Sequence, residues 1–259
     1  MPNFHHDLRV ALRSLLARPA FTTAAVLTLA LGIGSTTTVF SVAFGVLLRP
    51  LPYPNPERLV QVWQTDRRDP QPPEDGSSSP VSDEDWRRAH TLGSVALFSG
   101  TNLVLNEGAE PELLRGATIS TDFFRVFGRP MTLGREFTAE EDRSDGPRAV
   151  ILSHRLWQDR FGADRSVLGR TITIAARPWQ VVGVAPADFE FPAGTRLWVP
   201  TRNDDTSCGR NCVFMNGVAR LKDGVALEAA QQELSGLAVR IASEFPNSNP
   251  NVTYRAMTL

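Results

Sequence analysis

The chain has few of the side chains that usually carry chemistry. It contains two cysteines, four histidines and two tyrosines in 259 residues. No Gly-x-Ser-x-Gly elbow, Walker A loop or His-Glu-x-x-His occurs, so three common routes to hydrolysis or nucleotide binding have no sequence support. Basic excess is also missing. The formal charge is −1, where a nucleic-acid surface needs a cationic surplus, so no nucleic-acid partner is expected. There is no block of five like charges, no low-complexity tract and no internal repeat.

The histidines do not gather. His5 and His6 are adjacent, point apart on a helix and make a poor metal pair. His90 and His154 fall in segments that read as helices, and His154 follows Ser153 directly. A nucleophile and its base usually come from separate segments. Glu84, Asp85, Glu140 and Glu141 read as helix-start and surface-loop carboxylates. We therefore expect no enzyme, no cofactor, no metal and no catalytic residue. Cys208 and Cys212, in SCGRNC, could form a small disulfide outside the cytoplasm or stay as two thiols. A metal would need two further ligands, and no histidine is near.

What the chain does have is one long apolar run. Pro19 to Leu48 is thirty residues without a charge, and about twenty helical residues already cross a ~30 Å hydrocarbon core. Arg9, Arg13 and Arg18 precede it, so the positive-inside rule puts the N-terminus in the cytoplasm and the rest outside. A cleavable signal peptide is the competing reading, with Ser41-Val42-Ala43 as its cleavage site. The run continues past that site, however, and is longer than the ~7–15 residues of such a signal. Ala24, Thr28, Gly32 and Thr36 form a small-residue stripe that would let a second membrane helix approach closely.

Before the run, residues 1–18 hold Phe4, Leu8, Leu12, Leu15 and Leu16 at helical spacing, an amphipathic helix for the inner membrane surface. After it, residues 49–56 carry four prolines and form a stiff connector. Strands are expected at Arg58–Thr65, Thr101–Glu107, Leu113–Ile119, Ala149–Ser153, Phe214–Leu221 and Val252–Leu259. Thr171–Ala175 and Trp179–Ala185 read as a hairpin. Helices are expected from Ser82 (as N-cap), from Thr121, over His154–Phe161, and from Leu227 to Pro246. In the last, Leu227, Ala230, Leu234, Leu237 and Ile241 share a face. The fold class is α+β, a membrane helix followed by a two-lobed domain. Residues 57–130 with 213–259 would form a βαβ-type lobe, and 131–212 a strand-rich insertion.

The run DLRVALRSLLARPAFTTAAVLTLALGIGSTTTVFSVAFGVLLRPLPYPNPERLV resembles the N-terminus of bacterial permeases of the macrolide-exporter and lipoprotein-release class, the MacB/FtsX-like permeases. Among these it is most similar to the duplicated orphan permeases of acidobacteria. GREFTAEED, AVILSHRLWQDRFG, LGRTITIAARPWQVVGVAPADFEFP and VARLKDGVALEAAQQEL resemble the same family's periplasmic core domain. The resemblance implies a two-lobed periplasmic domain in the inner membrane that performs no chemistry itself. It also implies a separate cytoplasmic ABC ATPase as partner, and a homodimer or packing with other permease helices. Two departures shape the expectations. Where such proteins often carry Asn-Gly in the hairpin, this chain reads Ala175-Ala176-Arg177-Pro178, so a wider turn is expected. Family members also carry further membrane helices beyond this domain, so the expectation is an N-terminal part of a permease. The alternative is a single-span anchored periplasmic binding or scaffold module without transport activity.

Overall fold

The computed structural model describes Arg13 and residues 17–43, 52–68, 78–108, 110–202, 210, 212–248 and 250–259. It divides into two compact units, Met1–Leu51 and Pro52–Leu259.

The described part of the first unit is chiefly one helix, α1 (Pro19–Ala43). Its 25 residues give a length of about 38 Å, enough to cross a bilayer. Its described side chains are largely exposed, among them Phe21, Leu27, Leu31 and Ile33. The amphipathic helix expected at residues 1–18 falls outside the described residues apart from Arg13, Ala17 and Arg18, and so does the end of the apolar run, residues 44–48.

The second unit is built on one ten-stranded mixed sheet. In chain order its elements are β1 (Leu59–Asp66), α2 (Ser82–Trp86), β2 (Leu92–Leu105), β3 (Glu112–Ile119), α3 (Phe123–Phe127), β4 (Leu133–Gly134), β5 (Ala149–Leu152), α4 (His154–Phe161), β6 (Thr171–Ile174), β7 (Arg177–Val184), β8 (Leu197–Pro200), β9 (Asn216–Leu221), α5 (Leu227–Glu244) and β10 (Val252–Thr258). The spatial order is β10-β1-β9-β2-β3-β8-β5-β7-β4, with β6 bridging β7 and the end of β2. The half β10-β1-β9-β2-β3 comes from residues 59–119 and 216–258, and the other half from 133–200. The parallel pair β3–β8, Gly116 opposite Leu197 through Ile119 opposite Pro200, joins them into one sheet.

Three cores follow from strand alternation. Val60, Val62, Val95, Leu97, Ala219 and Leu221 point to the face covered by α5 and by Trp86 of α2. Leu59, Ala96, Phe98 and Val218 point the other way, onto an aromatic cluster of Phe123, Phe124, Phe127, Phe189 and Trp198. Val150, Leu152, Ile172, Ile174, Val181 and Leu197 pack against Leu156 and Trp157 of α4. The connector is stapled to the aromatic cluster. The Tyr53 ring lies 4.8 Å from Phe127 and 5.8 Å from Phe189, and Arg220 and Arg129 donate to the carbonyls of Pro54 (2.9 Å) and Pro52 (3.0 Å).

Several local expectations are met closely. α4 starts on Ser153, whose Oγ accepts from Leu156 N at 3.0 Å, and stops at left-handed Gly162. α5 buries Ala230, Leu234, Leu237 and Ile241. Other expectations are corrected. Ser82 is the first helical residue, not the cap; its Oγ accepts from Ser79 N and donates to Gln64 Oε1. That helix ends at Trp86, so His90 lies outside it, and β2 begins already at Leu92. The β6–β7 connection is not wide. Ile174 pairs with Arg177, leaving the two-residue turn Ala175-Ala176. Both alanines sit at positive φ (48° and 59°), the conformation for which Asn-Gly is usual.

Candidate functional site

A cavity of about 260 Å³ lies between the two halves of the sheet. Pro80, Val81, Asp83, Glu84 and Arg87 line it from α2 and its flanks, Leu97, Ser120 and Thr121 from the ends of β2 and β3. Ala139, Asp142 and Arg143 line it from the half built of residues 133–200, and Thr201 from just past the end of β8. Two carboxyls dominate. Asp83 is 7% exposed, and burial, with Glu84 and Asp142 adding like charge, pushes its pKa up to about 6 against the pull of Arg87. Asp142 is raised as well, chiefly by burial, although the backbone N–H groups of Arg202 (3.0 Å) and Thr201 bond to it. Arg87 Nη2 reaches Asp83 Oδ2 at 2.9 Å and Asp122 Oδ2 at 3.4 Å. Thr201 Oγ1 is buried there without a protein hydrogen-bond partner.

Asp83 can hold a proton up to about pH 6, and its ionisation changes the charge across the junction. Among the described residues that line the cavity there is no histidine, and Ser120 Oγ accepts from Leu97 N at 2.9 Å. Among the described residues no group of three or more His, Cys, Asp or Glu could hold a metal ion.

Asp85 lies in the first turn of its helix, as expected, but is buried, and Glu141, read as a surface-loop carboxylate, is buried as well. Asp85 is 1% exposed. It accepts from Tyr254 Oη at 3.0 Å and from Arg210 Nη2 at 3.1 Å, while the Arg210 guanidinium lies 3.8 Å over the Phe245 ring. Glu141, 4% exposed, takes a bidentate bond from Arg135 (2.7 and 2.9 Å) and one from Thr138 N; these hold its carboxyl below the usual range although burial opposes them. Asp85 lies four residues after Val81 and four before Ala89, which flank its short helix and are both buried, a spacing by which the sequence signals its burial.

The residues singled out from sequence are not brought into this cavity. Ala24, Thr28, Gly32 and Thr36 recur every four residues along α1. Thr28 Oγ1 donates to Ala24 O (2.9 Å) and Thr36 Oγ1 to Gly32 O (2.8 Å). The hydroxyls are therefore satisfied within the helix, and Thr28, Gly32 and Thr36 line one shallow groove on it. Cys208 lies outside the described residues, so the pairing with Cys212 stays a proposal. His90 is held by its backbone, which donates to Glu233 at 2.7 Å. The His154 ring stands 5.3 Å from that of Trp157.

A mixed α/β domain with a polar junction between its sheet halves, preceded by one helix long and apolar enough to cross a membrane, defines the class of protein. The particular family follows from comparison. The profile of the MacB-like periplasmic core domain matches residues 22–237, and the chain belongs to that family of ABC transporter permeases. The macrolide export ATP-binding/permease protein MacB of Hahella chejuensis is 29% identical over 117 residues, 44% of this chain and 18% of that protein. MacB 1 of Yersinia pestis bv. Antiqua is 27% identical over 119 residues, again 18% of that protein. The chain is thus matched to less than a fifth of these relatives' length. Among solved structures, the periplasmic region of MacB from Actinobacillus actinomycetemcomitans superposes with a TM-score of 0.55 at 18% identity, covering 78% of this chain and 88% of that one. The extracellular domain of the noncanonic ABC-type transporter YknZ from Gram-positive bacteria gives 0.54 at 17% identity, covering 77% and 99%. These likenesses show the shared fold.

Proposed function

We propose that the chain acts as the permease part of an ABC-type export or mechanotransmission system. In this reading α1 crosses the cell membrane with its arginine-flanked N-terminus in the cytoplasm, and the unit Pro52–Leu259 lies outside. A separate cytoplasmic ATPase subunit hydrolyses ATP, and its conformational change is conveyed to that domain. The observation that carries this reading is the extent of the family match, which begins at Thr22 inside α1 and runs to Leu237 in α5, taking helix and domain together.

Within it, residues 57–130 with 213–259 form one lobe and 131–212 the other, and the junction cavity is where movement between them would change the environment of Asp83 and Asp142. The stripe Ala24, Thr28, Gly32 and Thr36 faces another membrane helix, from a second copy or from other permease helices. Cys208 and Cys212 close a small extracytoplasmic disulfide. The decisive experiment fuses an alkaline-phosphatase reporter after Leu259 and fractionates the cells. Activity that stays with the membrane at full length is expected. Activity released as a shorter soluble product would mean a cleaved signal, and no activity would reverse the orientation; either result overturns the proposal.

A further inference from the structure

A second feature lies where the connector meets the sheet. Arg58, Arg125, Arg220 and Lys222 line one open groove of about 540 Å³. Its floor is Gly93 and Ser94, at the bulge where the β2–β9 register shifts between Leu92 and Ser94. Gly93 has no side chain, so the strand backbone is open to approach there, as bulges often arrange at binding sites.

The charges are not balanced from within. Among the described residues Asp223 is the one carboxylate lining the groove, and Arg58 engages it. Asp122 holds Arg125 at 3.0 Å. Arg220 has no carboxylate partner among the described residues. Its Nε donates to Val126 O (2.6 Å), its Nη1 to Pro54 O, and its Nη2 is buried with no partner. Burial lowers its pKa, with the like charge of Arg58 adding to the shift and Glu57 opposing it. Lys222 forms no ion pair among the described residues and is exposed, as is Arg125. A neighbouring cavity shares Gly93, Ser94 and Arg125 and adds Arg87, with Asp122 between the two arginines.

Cations crowded in this way repel one another more strongly at a partly buried site than in water. An incoming anion relieves that repulsion and meets donors suited to a tetrahedral oxyanion. We propose that this groove binds a phosphate-bearing anion, with Lys222 and Arg125 as the reaching donors and Arg220 as the unneutralised charge beneath them. The phosphate could belong to a free solute or to a lipid headgroup. Pro54, whose carbonyl Arg220 holds, stands six positions past the end of the apolar run at Leu48.

The test uses the full chain in a nonionic detergent. Inorganic pyrophosphate is titrated in one arm; in the other, phosphatidylglycerol is titrated into the micelles against phosphatidylcholine. Each is repeated with Arg125→Glu/Lys222→Glu and, should that pair unfold, with Lys222→Gln alone. Saturable binding is expected, weakening with salt. It should fall about fivefold per cationic side chain removed and well over tenfold on double reversal. Pyrophosphate binding lost in the variants identifies a free anion, and phosphatidylglycerol binding alone, lost in the variants, identifies a headgroup; either supports the site. No saturable binding of either probe, or equal affinity in wild type and variants, overturns it.

Discussion

Gly217 offers a sharp test of how the domain is packed. It lies on β9 between Val62 of β1 and Leu97 of β2. A Cβ at this position would stand 2.3 Å from Trp86 Cζ3 and 2.4 Å from the Val62 carbonyl oxygen, where carbon contacts need about 3.5 Å. Neither obstacle can yield easily. Trp86 is fully buried, edge-on to Tyr254 at 5.8 Å and pressed against the α5 core, and Val62 belongs to the central ladder. Overpacking of this kind costs about 1–3 kcal/mol, and two fixed obstacles put Gly217→Ala near the top of that range. Alanine regains roughly 0.5–1 kcal/mol over glycine in a strand. The net expected loss is about 2 kcal/mol, read as a urea midpoint lowered by about 1 M in tryptophan fluorescence of the detergent-solubilised chain. Gly100→Ala is the control. A Cβ there meets nothing within 4 Å, so that variant should be neutral or slightly more stable. If Gly217→Ala unfolds at or above the wild-type midpoint, the packing of Trp86 over β9 is wrong.

Three further outcomes are expected. Asp83 carries a raised pKa of about 6, so between about pH 4 and pH 6 the folded chain binds its proton more tightly than the unfolded chain does. Stability therefore falls as pH rises through that window, and the full cost is present above it. The shift of about two units sets a ceiling of roughly 3 kcal/mol. Asp83→Asn should be more stable than wild type by about 1–2 kcal/mol at neutral pH, after allowing for the lost Arg87 contact, and should lack the slope; parallel pH curves from urea denaturation would refute this. Ala175→Asn/Ala176→Gly should raise stability by about 1 kcal/mol, because both positions are left-handed and Asn-Gly suits them. An unchanged thermal midpoint would count against that turn. Gly32→Leu should weaken helix association in a membrane reporter assay, since it fills the groove between Thr28 and Thr36; unchanged association would remove the stripe from consideration.

Where local chemistry decides structure, the sequence was readable. Ser153 and Gly162 bracket α4, the heptad-like apolar steps of α5 match its buried face, and the apolar run became α1. Where the decision is made by partners far along the chain, it was not. β2 was expected only from Thr101, yet Val95 to Phe98 is a continuous apolar run between Gly93 and Gly100. Such a run lacks the alternation of a half-exposed strand because this one is covered on both faces, by α5 on one side and the aromatic cluster on the other. The turn at Ala175-Ala176 failed for a related reason. Local preference opposes it, and the pairing of β6 with β7 on one side and Leu105 of β2 on the other imposes it.

The candidate site is the extreme case of this dependence. Asp83 sits at the start of a five-residue helix and Asp142 in a loop some sixty residues later, and each alone reads as a solvated carboxylate. The parallel pairing of β3 with β8, with Leu105 of β2 opposite Ile174 of β6, brings the two halves of the sheet together, and at their junction Asp83 is buried and Asp142 half-buried in one cavity. Their raised pKa values are a property of the junction, not of either segment. The same holds for Arg220, whose exposed neighbours Lys222 and Arg125 acquire meaning once β9 lies beside the bulge of β2. A junction whose protonation depends on how closely its halves approach would change its charge if they moved apart, since solvating Asp83 returns its pKa toward 3.8 and releases a proton between about pH 4 and pH 6. In a protein proposed to transmit motion, the proton affinity of Asp83 would therefore report the position of one half against the other.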